Sequence, residues 1–323
     1  MIKISQLNVP ITLDCNLHCK YCFREFFQKP QALPALSEDM KEFLRNRSGG
    51  LVTLSGGEPL IHFDRVKEIF SYVPDSTGKS IITNGTLLTP EIVEYVNKNN
   101  IEILLSHDGV GTKFLRGVDV LQNKTICNLL HGVKKLRISS VATKFNTDVW
   151  ENFFYIAKQL KRVDFGYFSG PFMDTEKTHY LIDGFDYDTY VDTLFQFTRS
   201  PYRIVVKKER KTKCIGFSVL LDGTICSNID VSTCYGTIFD SFASCRDRLI
   251  EFGHMDYCLK TKCKHNDHCR FLPQGATEHS CKCRQMIMDR FYMPEYLNEV
   301  TEYVKQNLSD IEKKYGWDKK YLM

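Results

Sequence analysis

The chain has 323 residues, of which 43% are apolar and 25% charged, a composition typical of a folded globular protein and not of a disordered, collagen-like or membrane chain. Its formal net charge of +4, from 43 basic and 39 acidic residues, is too small to indicate nucleic acid or an anionic membrane as a partner. The length predicts two domains, or one large barrel with an extension.

Cysteine usage is the informative part of the composition. The chain has 13 cysteines, and its N-terminal segment lacks the apolar stretch and cleavage site of a secretory signal. We therefore expect a cytoplasmic protein whose thiols serve metal or redox chemistry and not a disulfide framework. Because nine of the cysteines fall between Cys214 and Cys283, the sequence predicts a domain boundary near residue 205.

The first two thirds of the chain alternate short apolar runs with amphipathic segments. The runs predict six strands, at residues 10–13, 51–54, 80–83, 101–106, 136–143 and 163–168. Strands separated by helices require a parallel sheet with right-handed crossovers. The sequence thus predicts an α/β fold, a partial (β/α)6 barrel of the TIM type, with its chemistry on loops at the C-terminal ends of the strands.

Two helical segments carry predictions of their own. Apolar residues at helical spacing near the C-terminus predict a helix that packs against the body of the protein: Leu297, Val300, Val304, Leu308 and Ile311. Cys127 lies in an apolar helix-like stretch, so we expect it to be a small buried hydrophobic residue.

The first cysteine group directly follows the first predicted strand. Cys15, Cys19 and Cys22 bring three thiols onto one short loop, and three soft ligands suit an iron–sulfur cluster or zinc. A zinc finger would normally add a fourth ligand nearby, for which His18 is the only local candidate.

Three polar motifs follow the next three strands. Ser55-Gly56-Gly57-Glu58-Pro59-Leu60 comes after the second strand, Thr83-Asn84-Gly85 after the third and Ser106-His107-Asp108-Gly109 after the fourth. Alone, the paired glycines before Glu-Pro could form a plain turn, and Asp108 could be a helix cap.

Together, the cysteine spacing and the Gly-Gly-Glu-Pro segment resemble those of radical S-adenosylmethionine (radical SAM) enzymes. The resemblance implies that Cys15, Cys19 and Cys22 hold a [4Fe-4S] cluster whose fourth iron is open to SAM. The family usually has an aliphatic residue where His107 stands, so its role stays open. The residues expected to bind SAM or substrate are Tyr21, Gly56, Gly57, Glu58, Pro59, Asn84, Ser106 and Asp108.

The cysteine-rich region resembles the SPASM extension of peptide- and protein-modifying members. Cys226, within Asp222-Gly223-Thr224-Ile225-Cys226, fits its opening, but Pro273 stands where the family places a further cysteine. The resemblance implies one or two auxiliary [4Fe-4S] clusters. One would use Cys214, Cys226, Cys281 and either Cys234 or Cys245; the other would use Cys258, Cys263, Cys269 and Cys283.

One cysteine remains, Cys234 or Cys245, which is either structural or a hydrogen-atom donor. A zinc site recruiting histidines of the same stretch is the alternative; these are His265, His268 and His279. The predicted division of the chain is a barrel over residues 1–205, a SPASM-like domain over 206–290 and a C-terminal helix over 291–323.

The resemblance implies an oxidoreductase that reductively cleaves SAM and abstracts a hydrogen atom from a peptide. The expected outcome is maturation of a ribosomally made peptide (RiPP) by a crosslink, thioether or epimerisation. An anaerobic sulfatase-maturating, formylglycine-generating enzyme is the alternative, and a zinc-binding interaction module on an inactive barrel is the alternative of another class. The implied electron donor is external, such as flavodoxin or ferredoxin.

Because the cluster loop begins at Cys15, we expect no peptide-recognition domain ahead of the barrel. The barrel, the extension, the final helix or a separate peptide-recognition protein would then hold the substrate. We expect a groove between barrel and extension, lined by Tyr167, Phe168 and residues around Asp108.

Overall fold

A computed structural model describes most of the chain. The described residues are 6–22, 33–171, 177–202, 217–227, 234–241, 243–245, 248 and 278–318. None of the helices among them is long and apolar enough to cross a membrane. The predicted boundary near residue 205 falls outside the described residues.

The strands of the described part form one sheet. They are β1 (Gln6–Thr12), β2 (Leu51–Gly56), β3 (Gly78–Thr83), β4 (Glu102–Ser106), β5 (Leu136–Ala142), β6 (Gly166–Pro171), β7 (Phe217–Val219), β8 (Thr224–Ser227) and β9 (Cys234–Thr237). Their order is β6-β5-β4-β3-β2-β1-β7-β8-β9. Strands β1 to β7 pair in parallel, whereas β8 and β9 are antiparallel.

Seven helices lie between the parallel strands in the described part of the chain, and two more follow β9. They are α1 (Glu38–Arg45), α2 (Phe63–Ser71), α3 (Pro90–Lys98), α4 (Thr112–Arg116), α5 (Lys124–His131), α6 (Val149–Leu160), α7 (Tyr187–Thr198), α8 (Glu278–Phe291) and α9 (Pro294–Lys314). N-capping residues fix where the helices begin. Thr89 caps α3, because its hydroxyl accepts a hydrogen bond from the Ile92 amide, and Pro90 is the first residue of that helix. Asp148 caps α6 by accepting from the amides of Trp150 and Glu151.

The predicted α/β class and partial barrel are confirmed. All six predicted strands are present, with ends shifted by a few residues, and the sheet stays open with β6 and β9 at its edges. Strand β7, a three-residue strand that pairs with β1, was not predicted from the apolar runs. Through it, the hairpin that carries Cys226 continues the sheet of the barrel.

The two faces of the sheet differ in chemistry. Residues such as Val9, Leu54 and Ile103 point towards the helices and are fully buried. The register aligns Asn8, Thr53 and Ser80 on the opposite, inner face. The inner face is therefore largely polar, as expected for a barrel that receives a ligand, whereas the outer face is the hydrophobic core.

The register also corrects one expectation about the groove. Phe168 pairs with Ser139, which pairs with Ser106, so Phe168 lies on the inner face, and it is 55% exposed. Tyr167 points to the other side, where its ring packs against Phe153 and Phe197. Because neighbouring strand residues face opposite sides of a sheet, Tyr167 cannot line a groove together with Phe168.

The C-terminal helix packs against the body of the protein, as predicted. Val304 and Ile311 of α9 are buried, and Leu297, Val300 and Leu308 pack against the core. The turn after α9 continues the packing, because Trp317 stacks on Phe154 of α6 with ring centroids 5.6 Å apart.

Candidate active site at the ends of the first four strands

The cysteine loop follows β1 and crosses towards α4. Cys15, Cys19 and Cys22 are free thiols of intermediate exposure. The Lys20 amide donates to the Leu115 carbonyl of α4 at 2.8 Å, and the Cys22 amide donates to the Cys19 carbonyl at 3.0 Å. The loop is thus held at a defined place above the sheet by main-chain hydrogen bonds, with its three cysteines partly exposed.

The Gly-Gly-Glu-Pro segment lies against the start of this loop. The amides of Gly57 and Glu58 donate to the Thr12 and Asp14 carbonyls at 2.8 and 2.7 Å. Gly56 has φ +128°, and a Cβ there would lie 2.2 Å from the Thr12 oxygen. Only glycine allows this approach. The contact brings the backbone of the motif beside the cysteine loop.

Glu58 joins this segment to the loop after β3. Its carboxylate accepts hydrogen bonds from the Thr83 hydroxyl and the amides of Asn84 and Leu60, at 2.7, 2.7 and 3.1 Å. Burial raises the pKa of Glu58, and these three donors oppose the rise. The side chain is a structural brace, while Pro59 begins a 3-10 helix.

Asn84 extends the brace to the cysteine loop. Its side-chain amide donates to the Asn16 oxygen at 2.9 Å, while Asn16 donates to the Thr86 hydroxyl at 2.8 Å. Asn16 lies directly after Cys15. The loops that follow β1, β2 and β3 therefore form one hydrogen-bonded unit.

Asp108 provides the matching link from the loop after β4. Its carboxylate accepts from the Tyr21 hydroxyl, from Nε and Nη2 of Arg116 at 2.7 and 3.2 Å, and from the Val141 amide at 2.8 Å. Asp108 is fully buried and caps no helix with its side chain, so the capping alternative is wrong. Both oxygens of its carboxylate accept hydrogen bonds from the protein.

The Arg116 guanidinium lies inside this network. Burial lowers the pKa of Arg116, but the Asp108 carboxylate outweighs it and the net shift is upward. The guanidinium also lies 5.3 Å from the centre of the Tyr21 ring. Burial raises the pKa of the Cys19 thiol to about 11, although the Arg116 charge opposes the rise.

His107 belongs to a separate buried network. Its Nδ1 accepts from the Gly109 amide at 3.1 Å, so Nε2 carries the proton and donates to Asp119 at 2.9 Å. The Tyr155 hydroxyl also donates to Asp119. His107 is fully buried. Its contacts are those of a residue that shapes the loop after β4.

Cys127 and Ser106 are two further barrel residues for which the sequence made predictions. Cys127 is only half-buried, and its thiol donates to the Leu121 carbonyl at 2.8 Å. Cys127 thus packs against the hydrophobic core as expected, but it is partly and not fully buried. Ser106 ends β4 on the inner face, where it is partly exposed.

Sequence reasoning missed Arg116 and Asp119. Arg116 pairs with Asp108, and Asp119 pairs with His107. Because a 3-10 turn separates Asp108 from α4, the partners are not at the i, i+3 or i, i+4 spacing that would indicate a contact on one helix. The only signal was the presence of charged residues in an otherwise apolar stretch.

The cysteines of the extension lie on two elements. Cys226 on β8 is buried and aligns with Cys234 on β9, which is exposed. The buried Cys245 lies beside this hairpin, because a Cβ on Gly236 would be 2.9 Å from its sulfur.

Cys281 and Cys283 lie on α8, two residues apart. That spacing turns them to opposite sides of a helix. Cys283 is fully buried, whereas Cys281 is partly exposed. Nearby, His279 contacts the Tyr187 hydroxyl through Nδ1 at 2.9 Å.

The remaining candidates lie outside the described residues: Cys214, Cys258, Cys263, Cys269, His265 and His268. Within the described ranges, no three His, Cys, Asp or Glu side chains are grouped closely enough to hold a single metal ion.

Comparisons with known proteins agree with this arrangement. The sequence model of the radical SAM superfamily matches residues 9–149. An AdoMet-dependent heme synthase of Methanosarcina barkeri is 31% identical over 49% of this chain and 48% of its own length. A cysteine-type anaerobic sulfatase-maturating enzyme of Clostridium novyi is 26% identical over 60% of this chain and 59% of its own length. The chain thus spans about half the length of these relatives.

The fold has a solved counterpart. Native anSMEcpe with bound AdoMet and Cp18Cys peptide superposes with a TM-score of 0.62 at 17% identity, over 92% of this chain and 99% of the other. This likeness extends beyond the barrel into the described part of the cysteine-rich extension. The match to the family model, which includes the cysteine loop and the glycine motif on a partial barrel, identifies residues 9–149 as a radical SAM domain.

Proposed function

We propose that the chain is a radical SAM enzyme that abstracts a hydrogen atom from a peptide or protein substrate. A radical SAM domain implies a [4Fe-4S] cluster and SAM. The observation that carries the proposal is the joining of four loops at the ends of β1 to β4: Glu58 and Asn84 connect three of them, and Asp108 connects Tyr21 of the cysteine loop to the fourth.

The donor set fits the cluster. Three thiols lie on one short loop, and a cubane cluster is held by cysteine thiolates. We assign Cys15, Cys19 and Cys22 as the residues that would hold it, and the Gly56–Gly57 backbone and Ser106 as SAM contacts. When bound, the cluster and SAM would supply one-electron radical chemistry, with the electron coming from an external donor.

The chain's own residues orient this site and limit its motion. Glu58 holds the glycine motif against the end of β3 through hydrogen bonds from the Thr83 hydroxyl and the Asn84 amide. Asp108 with Arg116 holds the Tyr21 ring against the loop after β4. Because both carboxylates are buried and already bonded, they position loops and do not contact the reacting atoms. A fixed geometry favours one site of hydrogen abstraction.

We assign auxiliary cluster binding to the extension. The opposite directions of Cys281 and Cys283 on α8 support their assignment to different clusters. Cys226 would accompany Cys281, while Cys214, Cys258, Cys263 and Cys269 would supply further ligands. Cys234 and Cys245 both lie at the β8–β9 hairpin, and whichever is not a ligand remains the hydrogen-donor candidate.

A peptide substrate is supported by the inner face and by the structural counterpart. Phe168 stands exposed on the inner face of the edge strand β6, where an extended chain could pass. The counterpart of similar fold is described with a bound Cp18Cys peptide. Conversion of a sulfatase cysteine or serine to formylglycine is the second candidate, supported by the similarity to the Clostridium novyi maturase.

The test begins with anaerobically reconstituted full-length protein. With dithionite, the wild type should form 5′-deoxyadenosine from SAM, and replacement of Cys15, Cys19 and Cys22 by alanine should abolish it while lowering iron by about one cluster. The matched control is Cys127→Ala, which removes a thiol whose one hydrogen bond among the described residues is to the Leu121 carbonyl, and it should leave both values unchanged. Wild-type protein that binds zinc and cleaves no SAM would contradict the proposal.

Substrate class is tested separately. A peptide encoded beside the gene and a cysteine-containing sulfatase peptide would each be supplied, with mass spectrometry of the product. Peptide-dependent formation of 5′-deoxyadenosine with a changed peptide mass supports the proposal, and a formylglycine product selects the second candidate. Turnover with GTP or a porphyrin but with no peptide would overturn the peptide assignment.

A further inference from the structure

An apolar patch surrounded by lysines lies beside the cysteine loop. Three large apolar side chains are exposed on the segments after β4 and β5: Val110 by 40%, Phe114 by 45% and Phe145 by 36%. The rings of Phe114 and Phe145 are in contact, with centroids 4.4 Å apart. Val110 precedes Phe114 by four residues, about one helical turn. We call this set, with Lys20, Lys113 and Lys144, the mouth patch.

The charge around the patch has one sign. Lys20 Nζ lies 4.8 Å from the centre of the Phe114 ring, and Lys144 Nζ lies 5.5 Å from that of Phe145. Lys113 is exposed on α4 between them in sequence. Within the part of the chain that the structure describes, none of the three lysines forms an ion pair with a carboxylate. Among the described residues, the patch therefore presents positive charge that no paired carboxylate neutralises.

The patch also adjoins the cysteine loop. Lys20 stands between Cys19 and Cys22, and its amide bonds Leu115, the residue after Phe114. A protein bound to Phe114 would therefore lie beside the loop to which the proposed function assigns the cluster.

We infer that the mouth patch is the docking surface for a small acidic one-electron carrier protein. Exposed aromatic residues rimmed by polar ones mark interaction sites, and a lysine rim complements an acidic surface. The small extent of the patch suits transient redox encounters, which use small interfaces. The carrier's reduced cofactor would lose one electron, and the cluster of the proposed function would gain it.

This inference rests on the proposed function, and the test separates the two. Reduced flavodoxin, an acidic carrier, and dithionite, a small reductant that needs no docking site, would each drive formation of 5′-deoxyadenosine by the reconstituted full chain. The test variant is Lys113→Glu/Lys144→Glu. The matched control is Lys134→Glu/Lys135→Glu, two exposed lysines at the N-terminal end of β5, the opposite end of the sheet.

We expect the test variant to lower the flavodoxin-driven rate about tenfold at low salt, with the dithionite-driven rate unchanged and the control like wild type. The wild-type flavodoxin-driven rate should also fall with added salt. Phe114→Ser should lower the flavodoxin-driven rate without altering its salt dependence.

Three results would overturn the inference: equal flavodoxin-driven rates for test variant and wild type, an equal loss with dithionite, or a rise only in the KM of the peptide substrate. Dimerisation of the wild type that the variant abolishes would assign the patch to a second copy instead. If the wild type cleaves no SAM with dithionite, the proposed function fails. Flavodoxin binding to the full chain, measured directly, then decides about the patch: binding weakened by the test variant supports it, and unchanged binding rejects it.

Discussion

The Tyr21 hydroxyl donates a hydrogen bond to the Asp108 carboxylate and so joins the cysteine loop after β1 to the loop after β4. Arg116 binds the same carboxylate through two nitrogens. The position of Tyr21, one residue before Cys22, therefore depends on a buried ion pair that lies on a different part of the chain. This dependence can be measured without any bound cofactor.

Asp108→Asn should destabilise the apoprotein. The change keeps the shape of the side chain but leaves the Arg116 charge buried without its counter-ion, and such a loss costs about 3–5 kcal/mol. Tyr21→Phe removes only one hydrogen bond to a charged group and should cost about 1.5–3 kcal/mol. Urea unfolding under reducing conditions measures both.

The control for these two variants is Asp310→Asn, whose partner is the exposed Lys313. Exposed ion pairs of this kind contribute about 0–1 kcal/mol, so this variant should unfold like wild type. An Asp108→Asn protein as stable as the control would show that the ion pair does not hold the loop.

Glu58→Gln should be destabilising although it removes a charge that burial disfavours. Both carboxylate oxygens accept hydrogen bonds, and the amide nitrogen of glutamine would face a donor, either the Asn84 amide or the Thr83 hydroxyl. A buried donor left unsatisfied costs about 1–3 kcal/mol. Equilibrium unfolding of the apoprotein measures the loss.

The exposed Glu42→Gln on α1 serves as the matched control for this change, with an expected effect within about 0.5 kcal/mol. If Glu58→Gln stabilised the protein, desolvation of the carboxylate would outweigh its hydrogen bonds, and the bracing role would have to be abandoned.

The sequence was sufficient to predict the place of the site. Apolar periodicity predicted six strands, and the motifs that follow four of them meet because parallel strands end at one edge of the sheet. The roles of Glu58 and Asp108 could not be predicted in the same way. A motif shows that a carboxylate is present, but whether it faces ligand or protein depends on donors from distant segments, such as Asn84, Arg116 and the Val141 amide.

The side of the sheet to which Tyr167 points could not be predicted from the sequence either. A strand assigned to residues 163–168 gives no register, and one residue of shift moves a side chain from the inner face to the core. Pairing with β5 sets that register and turns Tyr167 towards Phe153 and Phe197.

Asp119 should make the stability of the protein depend on pH in acid. Burial opposes the shift, but hydrogen bonds from His107 and Tyr155 lower the pKa of Asp119 below its ordinary value of 3.8. A carboxyl group with a lowered folded-state pKa stabilises the fold above the unfolded-state pKa, and this contribution is lost as the pH falls through the folded-state pKa. Wild type should therefore be more stable than Asp119→Asn at pH 7, with the difference shrinking below about pH 4.

The measurement is the urea midpoint of both apoproteins at pH 7, 5 and 3. Asp64→Asn, which removes an exposed carboxylate that pairs with Lys67, gives the comparison for a surface group. A difference between wild type and Asp119→Asn that stayed constant down to pH 3 would show that the network does not depend on ionisation of Asp119.

Gly56→Ala should destabilise the protein more than substitution of a glycine with positive φ that has open space around it. The new Cβ would lie 2.2 Å from the Thr12 oxygen, which already accepts the Gly57 amide at 2.8 Å, so the motif must move away from β1. Gly49 is the matched control: it also has a positive φ, +75°, but a Cβ there meets no atom within 4 Å. Gly49→Ala carries backbone strain of about 1–2 kcal/mol. Gly56→Ala carries at least as much, because its φ of +128° lies outside the left-handed helical region, and it adds overpacking of about 1–3 kcal/mol.

The same displacement should act on the cofactor that the motif is proposed to hold. Equilibrium dialysis of SAM against reconstituted protein should show binding weakened at least about tenfold in Gly56→Ala and unchanged in Gly49→Ala, since only the first variant displaces the Gly57 backbone. Equal SAM affinity in the two variants, together with the larger loss of stability in Gly56→Ala, would mean that the contact with Thr12 serves the sheet alone. In that case the Gly56–Gly57 backbone would have to be removed from the proposed SAM site.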